Sequence, residues 1–169
     1  RDSPPHCRRA TGYSLNEFLM DDDAFNPARL IASSEGTLGT LLTVTLDLVP
    51  TPERTALVLL QFDDLVKAME ATNAILEVNP SAIELMDRML INLTRDQPGY
   101  ANQISFIHGD PAGLLAVEFY GSSEAELQAK CDACVAHLVH RGISLMVDAQ
   151  VLLDPKKQAQ VWNVRKAGL

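Results

Sequence analysis

Four side chains that can bind metals recur at a constant spacing of three residues: Cys131, Cys134, His137 and His140. In a helix each step of three residues falls about 60° short of a full turn, so the four spread over roughly half of the circumference. They cannot converge on one tetrahedral ion, and structural zinc sites usually draw ligands from separate elements. The pattern therefore favours buried cysteines with partly exposed histidines. A redox role is also disfavoured, because a reactive CxxC needs a helix N-terminus and this pair lies in mid-helix.

Two carboxylates, Glu84 and Asp87, flank the end of a short apolar segment, and paired carboxylates can perform acid/base chemistry. Pairs of this kind are more often a charge at a strand end and a helix cap. His108 lies in a Gly-containing loop without a recognisable catalytic neighbour. We interpret all three residues as structural.

The segment from Ser33 to Thr40 combines two glycines, small hydroxyl residues and one acid. Such a chain can approach a ligand closely and offer backbone N–H groups to phosphate oxygens. On physical grounds alone this signal is weak, because Gly-rich turns are common.

The elements that must position these residues form two successive β-α-β units, at about 55–86 and 114–151. This order predicts an α+β fold, a ferredoxin-like sandwich with an antiparallel sheet and both crossover helices on one face. The hydrophobic periodicities and caps predict strands at 55–62, 82–86, 114–120 and 143–151, and helices at 65–78, 88–94, 125–140 and from 155 to beyond 165. A long loop at 95–113 is predicted to contain a short strand at 104–107.

The first 50 residues have a different organisation. A capping box beginning at Ser14 predicts a short helix, and a second short helix is expected after Asn26-Pro27. Alternating apolar residues predict a strand from Leu41 to Val49. The prolines of the segment 50–53 stop this strand and stiffen the chain, so we place a domain boundary there. The expected domains are 1–50 and 51–169.

Composition limits the function classes. The 169 residues are 47% hydrophobic and 21% charged, as expected for a folded globular protein. A net charge of −8 argues against nucleic-acid binding, and no apolar run is long enough to span a membrane. The odd count of three cysteines gives no disulfide framework, so we expect a reducing, cytoplasmic compartment. Neither Arg1 nor Leu169 resembles a natural terminus.

Several motifs together resemble one family. Ser34–Gly39, followed by Leu48–Pro50, resembles the GSEGTLG…LxLVP signature that closes the FAD-binding domain of flavoenzymes of the vanillyl-alcohol-oxidase type. Thr11–Leu15 resembles their TGYxL motif. Pro80–Asp87 and Val161–Lys166 resemble the capping domain of D-2-hydroxyacid dehydrogenases, a group that includes D-2-hydroxyglutarate, D-lactate and glycolate enzymes. The bacterial forms fused to an iron–sulfur region are the most similar.

The resemblance implies roles for particular residues. Residues 1–50 would be the C-terminal part of an FAD-binding domain, and 51–169 an incomplete ferredoxin-like substrate cap. Arg165 matches a WxxR arginine that binds a substrate carboxylate, and a planar guanidinium suits bidentate binding. Ser33 departs from the family pattern, which has a tight-turn glycine at this position. The implied FAD-binding residues are Ser34, Glu35, Gly36, Thr37, Leu38 and Gly39, together with Gly12 and Tyr13.

The function expected from the resemblance is that of an FAD-dependent oxidoreductase. The parent enzyme would oxidise a small D-2-hydroxy acid by hydride transfer to FAD and pass electrons to an iron–sulfur cluster or another redox acceptor. The segment alone would be inactive and would bind no FAD. The exposed strand 41–49 would pair with the ferredoxin-like sheet or with another copy in a homodimer. The alternative is a stand-alone ferredoxin-like binding or oligomerisation module.

Overall fold

The computed structural model describes residues 13, 15, 27–97, 99–100 and 103–167. The chain divides into two compact units, Arg1–Val49 and Pro50–Leu169, which are described separately below. The elements in chain order are α1 (Pro27–Ile31), β1 (Arg54–Phe62), α2 (Leu65–Leu76), β2 (Ala82–Asp87), α3 (Arg88–Arg95), β3 (Gly113–Gly121), α4 (Glu124–His140), β4 (Gln150–Leu152) and α5 (Pro155–Ala167). None of these helices is both long and apolar enough to cross a membrane.

The second unit is built on a four-stranded antiparallel sheet with the strand order β2-β3-β1-β4. Strands β1 and β3 pair along their whole length, from Arg54 opposite Gly121 to Phe62 opposite Gly113. Each β-α-β unit skips one strand, so the two units interlock. This topology confirms the predicted α+β, ferredoxin-like arrangement.

One face of the sheet is covered by the two crossover helices, as predicted. Helix α2 begins after Asp64, whose carboxylate accepts hydrogen bonds from the backbone N–H groups of Val66 and Lys67. Small residues on α2 and the buried Cys131 and Cys134 of α4 pack against alternate residues of β1 and β3. This layer is the larger of two apolar clusters in the unit.

The opposite face is covered as well, which the sequence pattern did not predict. Helices α3 and α5 supply Ile91, Val161 and Val164 to a second cluster with Leu57 and Leu59 of β1. A sheet buried on both faces needs continuous apolar strands, which explains the fully buried run from Ala56 to Leu60. The unit therefore has three layers, helices–sheet–helices.

Two predicted strands differ from the structure. Residues 104–107 form a turn, in which the N–H of Ile107 donates to the carbonyl of Ile104 at 2.9 Å, and Phe106 is buried in the second cluster. Strand β4 has three residues, whereas a strand at 143–151 was predicted. The preceding segment leaves α4 through Gly142 at φ +70° and packs Ile143 and Leu145 against the first cluster. Apolar residues there bury themselves without strand pairing.

The first unit lacks the strand predicted at Leu41–Val49. These residues form no β-pairing within the described part of the chain, and the side chains of Leu42 and Leu48 are 93% and 90% exposed. A strand needs hydrogen-bonding neighbours, and alternating apolar residues cannot provide them alone. The short helix expected after Pro27 is present as α1. The helix predicted from Ser14 lies mostly outside the described residues, although Leu15 is helical.

Candidate functional site

The glycine-containing loop after α1 is a tight turn with an open outer surface. Thr37 donates its backbone N–H to the carbonyl of Ser34 at 2.9 Å, and the two residues between them, Glu35 and Gly36, have φ values of +49° and +79°. Positive φ at both central positions is the pattern of a type I′ turn. Ser34 itself is buried and anchors the turn to the end of α1 through its N–H.

A hydroxyl pair fixes this turn. The Thr37 hydroxyl donates to the Ser34 carbonyl at 2.6 Å, so the Tyr13 hydroxyl, 2.7 Å from Thr37 Oγ1, donates to it. The structure thus brings together three of the residues that the resemblance implied for FAD binding. Gly12 lies outside the described residues.

The outer side of the loop is open at its two glycines. A Cβ placed on Gly36 or Gly39 would meet nothing within 4 Å, so a ligand can approach the backbone there. Among the described residues, none accepts a hydrogen bond from the N–H groups of these two glycines. Leu38 is half exposed and offers an apolar surface beside them. These properties suit contact with a flavin nucleotide.

The candidate substrate arginine lies on α5 in the second unit. Arg165 follows the buried Val161 and Val164, and Trp162 packs at the margin of the same cluster. Its Nε donates to Glu84 Oε2 of β2 at 2.9 Å. The Arg165 side chain is 29% exposed, the lowest value among the ion-paired arginines of the described chain. A partly buried, carboxylate-tethered guanidinium is a suitable anion-binding group.

Sequence reasoning missed the residue that anchors α5. Gln158 is buried, and its side-chain amide donates to the backbone carbonyls of Thr55, Leu152 and Leu153 at 2.8–3.2 Å, while its oxygen accepts from the Thr55 hydroxyl. Gln158 lies three residues before Val161 and seven before Arg165, on the same side of the helix. A glutamine in line with the buried valines was the available signal.

The two carboxylates considered in the sequence have structural partners. Asp87 caps α3 by accepting from the N–H of Leu90 at 2.8 Å, which confirms the predicted cap. Glu84 forms the ion pair with Arg165, which the sequence did not reveal. Neither arrangement resembles an acid/base pair.

Another unpredicted group is Glu118, on the same sheet face as Glu84. Burial raises the pKa of Glu118 above its usual value, and the neighbouring Tyr120 partly offsets the shift. Glu118 in turn raises the pKa of Tyr120. In the register of β2 with β3, Ala82 faces Glu118 and Glu84 faces Ala116. The two carboxylates are therefore diagonal neighbours on the face that carries α5.

The cysteines of α4 are core residues, as predicted. Cys131 and Cys134 are fully buried, and burial raises the pKa of both thiols to about 11. Such thiols are protonated and unreactive at neutral pH. His137 is bound to Glu77 at 2.9 Å, and His140 is exposed. In the part of the chain that the structure describes, no cluster of three or more His, Cys, Asp or Glu side chains is arranged to bind a metal ion.

His108 lies in a loop held by other residues. Its N–H donates to Gln61 Oε1 at 2.9 Å, and Gln61 is a second buried glutamine absent from the sequence predictions. Asp110 forms ion pairs with Arg88 and Arg95 of α3 at 3.4 Å each. The imidazole itself is exposed. The loop contacts are structural, as interpreted from the sequence.

Concave surfaces occur elsewhere on the second unit. A cleft of about 340 Å³ is lined by residues around the start of β1 and α4, including Arg54 and Glu124. Another of about 370 Å³ lies between the end of α4 and the segment 143–149. Arg165 does not line either of these two clefts.

The comparisons with known proteins agree on one family. The family model described as FAD linked oxidases, C-terminal domain, matches residues 51–169. The D-2-hydroxyglutarate dehydrogenase of Pseudomonas putida is 28% identical over 139 residues, covering 80% of this chain. That of Escherichia coli is 29% identical over 140 residues, covering 80% of this chain. The glycolate oxidase subunit GlcD of Escherichia coli is 28% identical over 159 residues, covering 90% of this chain.

The chain is much shorter than these relatives. It covers 14% of the length of each of the two D-2-hydroxyglutarate dehydrogenases and 29% of the glycolate oxidase subunit.

Proposed function

The chain belongs to the FAD-linked oxidases through their C-terminal domain, and we propose that it is the substrate-capping part of a longer FAD-dependent enzyme that oxidises a D-2-hydroxy acid. The match of the family model over residues 51–169 carries this proposal. The names of the relatives, which act on 2-hydroxyglutarate and glycolate, support the substrate class. Residues 1–50 would then be the last part of the preceding FAD-binding domain.

We propose that the turn Ser34–Gly39 contacts FAD, and that Gly12 and Tyr13 also contribute to FAD binding. FAD, when bound, would accept the hydride from the substrate carbon. The chain's own contribution is the turn, whose open glycines let the cofactor approach and whose Tyr13–Thr37 hydroxyl pair keeps the backbone in place. In flavin enzymes the protein binds and orients the cofactor, and a rigid turn of this kind would do so.

Arg165 is proposed to bind the substrate carboxylate. Its Nε is engaged by Glu84, while within the described chain the two Nη groups have no hydrogen-bond acceptor. These two groups form a planar fork that matches the two oxygens of a carboxylate. Neutralising the carboxylate and fixing its direction would orient the α-carbon of the substrate.

The test of this role uses the full-length protein and the variants Arg165→Ala and Arg165→Lys. We expect Arg165→Ala to raise KM for the 2-hydroxy acid by roughly 100-fold, or about 2–3 kcal/mol, because a charged partner is lost. Lysine should restore only part of the binding because it lacks the fork. Arg141→Ala is the matched control, since Arg141 also pairs with a glutamate but lies at the end of α4 and has no proposed contact with the substrate. Unchanged kinetics of Arg165→Ala would remove Arg165 from the site.

Four finer points complete the proposal. An iron–sulfur cluster elsewhere in the parent enzyme would accept the electrons, as the resemblance to the fused bacterial forms implies. The enzyme would be cytoplasmic and homodimeric, and the isolated chain would be inactive. Iron and sulfide analysis and the molar mass in solution of the full-length protein test the first and third points. Fractionation of the source cells and an assay of the isolated chain test the other two.

A further inference from the structure

Glu84, the residue that pairs with Arg165, is a further candidate for a functional role at this site. Glu84 belongs to β2, and its Oε2 accepts a hydrogen bond from Arg165 Nε at 2.9 Å. A guanidinium bound through Nε alone keeps its other fork, Nη1 and Nη2, available. Glu84 therefore binds the Nε edge of the guanidinium and leaves the Nη1–Nη2 edge available to a bidentate ligand.

The two residues are held by independent parts of the fold. Glu84 is fixed by the strand register, in which it faces Ala116 of β3. Arg165 is fixed by α5, which Gln158 and the buried Val161 and Val164 attach to the sheet. An arginine side chain alone has several rotatable bonds, and a hydrogen bond at Nε fixes the plane of its guanidinium. Strand β2, through Glu84, thus sets the direction of the Arg165 guanidinium on helix α5.

We propose that Glu84 is a positioning residue that orients the Arg165 guanidinium for bidentate binding of the substrate carboxylate. This inference rests on the proposed function of Arg165. Glu84 acts through its hydrogen bond to Nε and makes no contact with the substrate. Its negative charge weakens the attraction of Arg165 for the substrate carboxylate, so orientation and charge have opposite effects on binding.

Two conservative variants of the full-length protein separate these effects. Glu84→Gln keeps an oxygen that can accept from Nε but removes the charge. Glu84→Asp keeps the charge but withdraws the carboxylate by one methylene from Nε. Orientation predicts that Glu84→Asp and Glu84→Ala raise KM by about tenfold, with kcat within about twofold, and that Glu84→Gln stays within about threefold of the parent. The kinetics are measured with 2-hydroxyglutarate, lactate and glycolate, and the best substrate is used throughout.

Control variants complete the experiment. Glu77→Ala removes an exposed glutamate that also pairs with an arginine, Arg141, and should leave KM unchanged. The double variant E84A/R165A should have the same KM as R165A, because Glu84 acts only through Arg165. The thermal midpoint of each variant is measured in parallel, so that a KM effect is compared only among folded proteins.

The outcomes distinguish this inference from the proposed function. If R165A raises KM but E84D and E84A match the parent, or if E84Q raises KM as much as E84A does, the positioning role of Glu84 is wrong and the role of Arg165 stands. If R165A itself has parental kinetics, the substrate role of Arg165 and the positioning role of Glu84 both fail. If E84A does not fold, E84D and E84Q still decide, because only orientation predicts a KM increase for Asp and not for Gln.

Discussion

At the residue scale, buried thiols give the second unit a pH dependence of its own. The pKa of Cys131 and Cys134 is about 11 in the folded chain and 9.0 for an ordinary thiol. The folded state therefore holds these protons after the unfolded state has released them. Stability from this source is complete below pH 9 and is lost as pH rises from 9 to about 11.

The variant C131A/C134A tests this prediction. Between pH 9 and 11 the unfolding free energy should fall more steeply with pH in the parent than in the variant. The difference is up to about 1.4 kcal/mol per pH unit for each thiol. Urea unfolding at pH 7, 9, 10 and 11 measures both proteins, and the variant corrects for other groups that titrate in this range. Equal slopes in the two proteins would show that the thiols titrate normally.

Single residues were predictable where a local pattern marks them. Asp87 as a cap, the buried cysteines and the turn at Ser34–Gly39 all follow from short-range chemistry. The hydrogen bond between Arg165 and Glu84 joins residues 81 positions apart in the sequence. It depends on which strand faces α5, so no local sequence pattern could predict it. Gln158 escaped prediction because glutamine is usually exposed.

At the element scale, the N-cap of helix α2 has an effect on stability that can be measured. Asp64→Ala should reduce the unfolding free energy by about 1 kcal/mol, because two backbone N–H groups of α2 lose their acceptor. Asp63→Ala is a matched control, since the adjacent carboxylate only forms an exposed ion pair with Lys67. Chemical denaturation should place Asp64→Ala clearly below Asp63→Ala. Equal stabilities would mean that Asp64 does not cap the helix.

Helix α5 depends on one buried side chain. Gln158→Ala should destabilise the chain by about 2–4 kcal/mol, because the buried carbonyl of Leu152 and the partly buried carbonyl of Leu153 lose their donor. Gln160→Ala, on the same helix with a partly exposed side chain, should cost much less. A similar loss for the two variants in urea unfolding would contradict the anchoring role of Gln158.

Elements were predicted well where period and caps agree. Helix α4 and strands β1 and β3 begin and end within one residue of their predicted positions. Their ends were predictable because apolar runs and cap residues mark them. Strand β4 and the turn at 104–107 were mispredicted because apolar residues bury equally well in loops. The strand expected at 41–49 has the alternation of a strand but no pairing neighbour among the described residues.

At the scale of the whole molecule, the ferredoxin-like topology followed from the order of elements. Two interlocking β-α-β units allow few other sheets, and the observed order β2-β3-β1-β4 confirms that reasoning. The third layer, α3 and α5, could not be predicted because α3 has only eight residues and α5 is largely polar. Only contact with the sheet shows that Ile91, Val161 and Val164 are core residues.

We propose that this chain is part of a flavin-dependent 2-hydroxyacid dehydrogenase. The most direct test is the visible spectrum of the purified full-length protein, before and after anaerobic addition of 2-hydroxyglutarate, lactate or glycolate. We expect the yellow absorbance of bound FAD, and its loss on addition of one of these acids. A protein that is colourless, and stays colourless after incubation with FAD and removal of the excess, would contradict it.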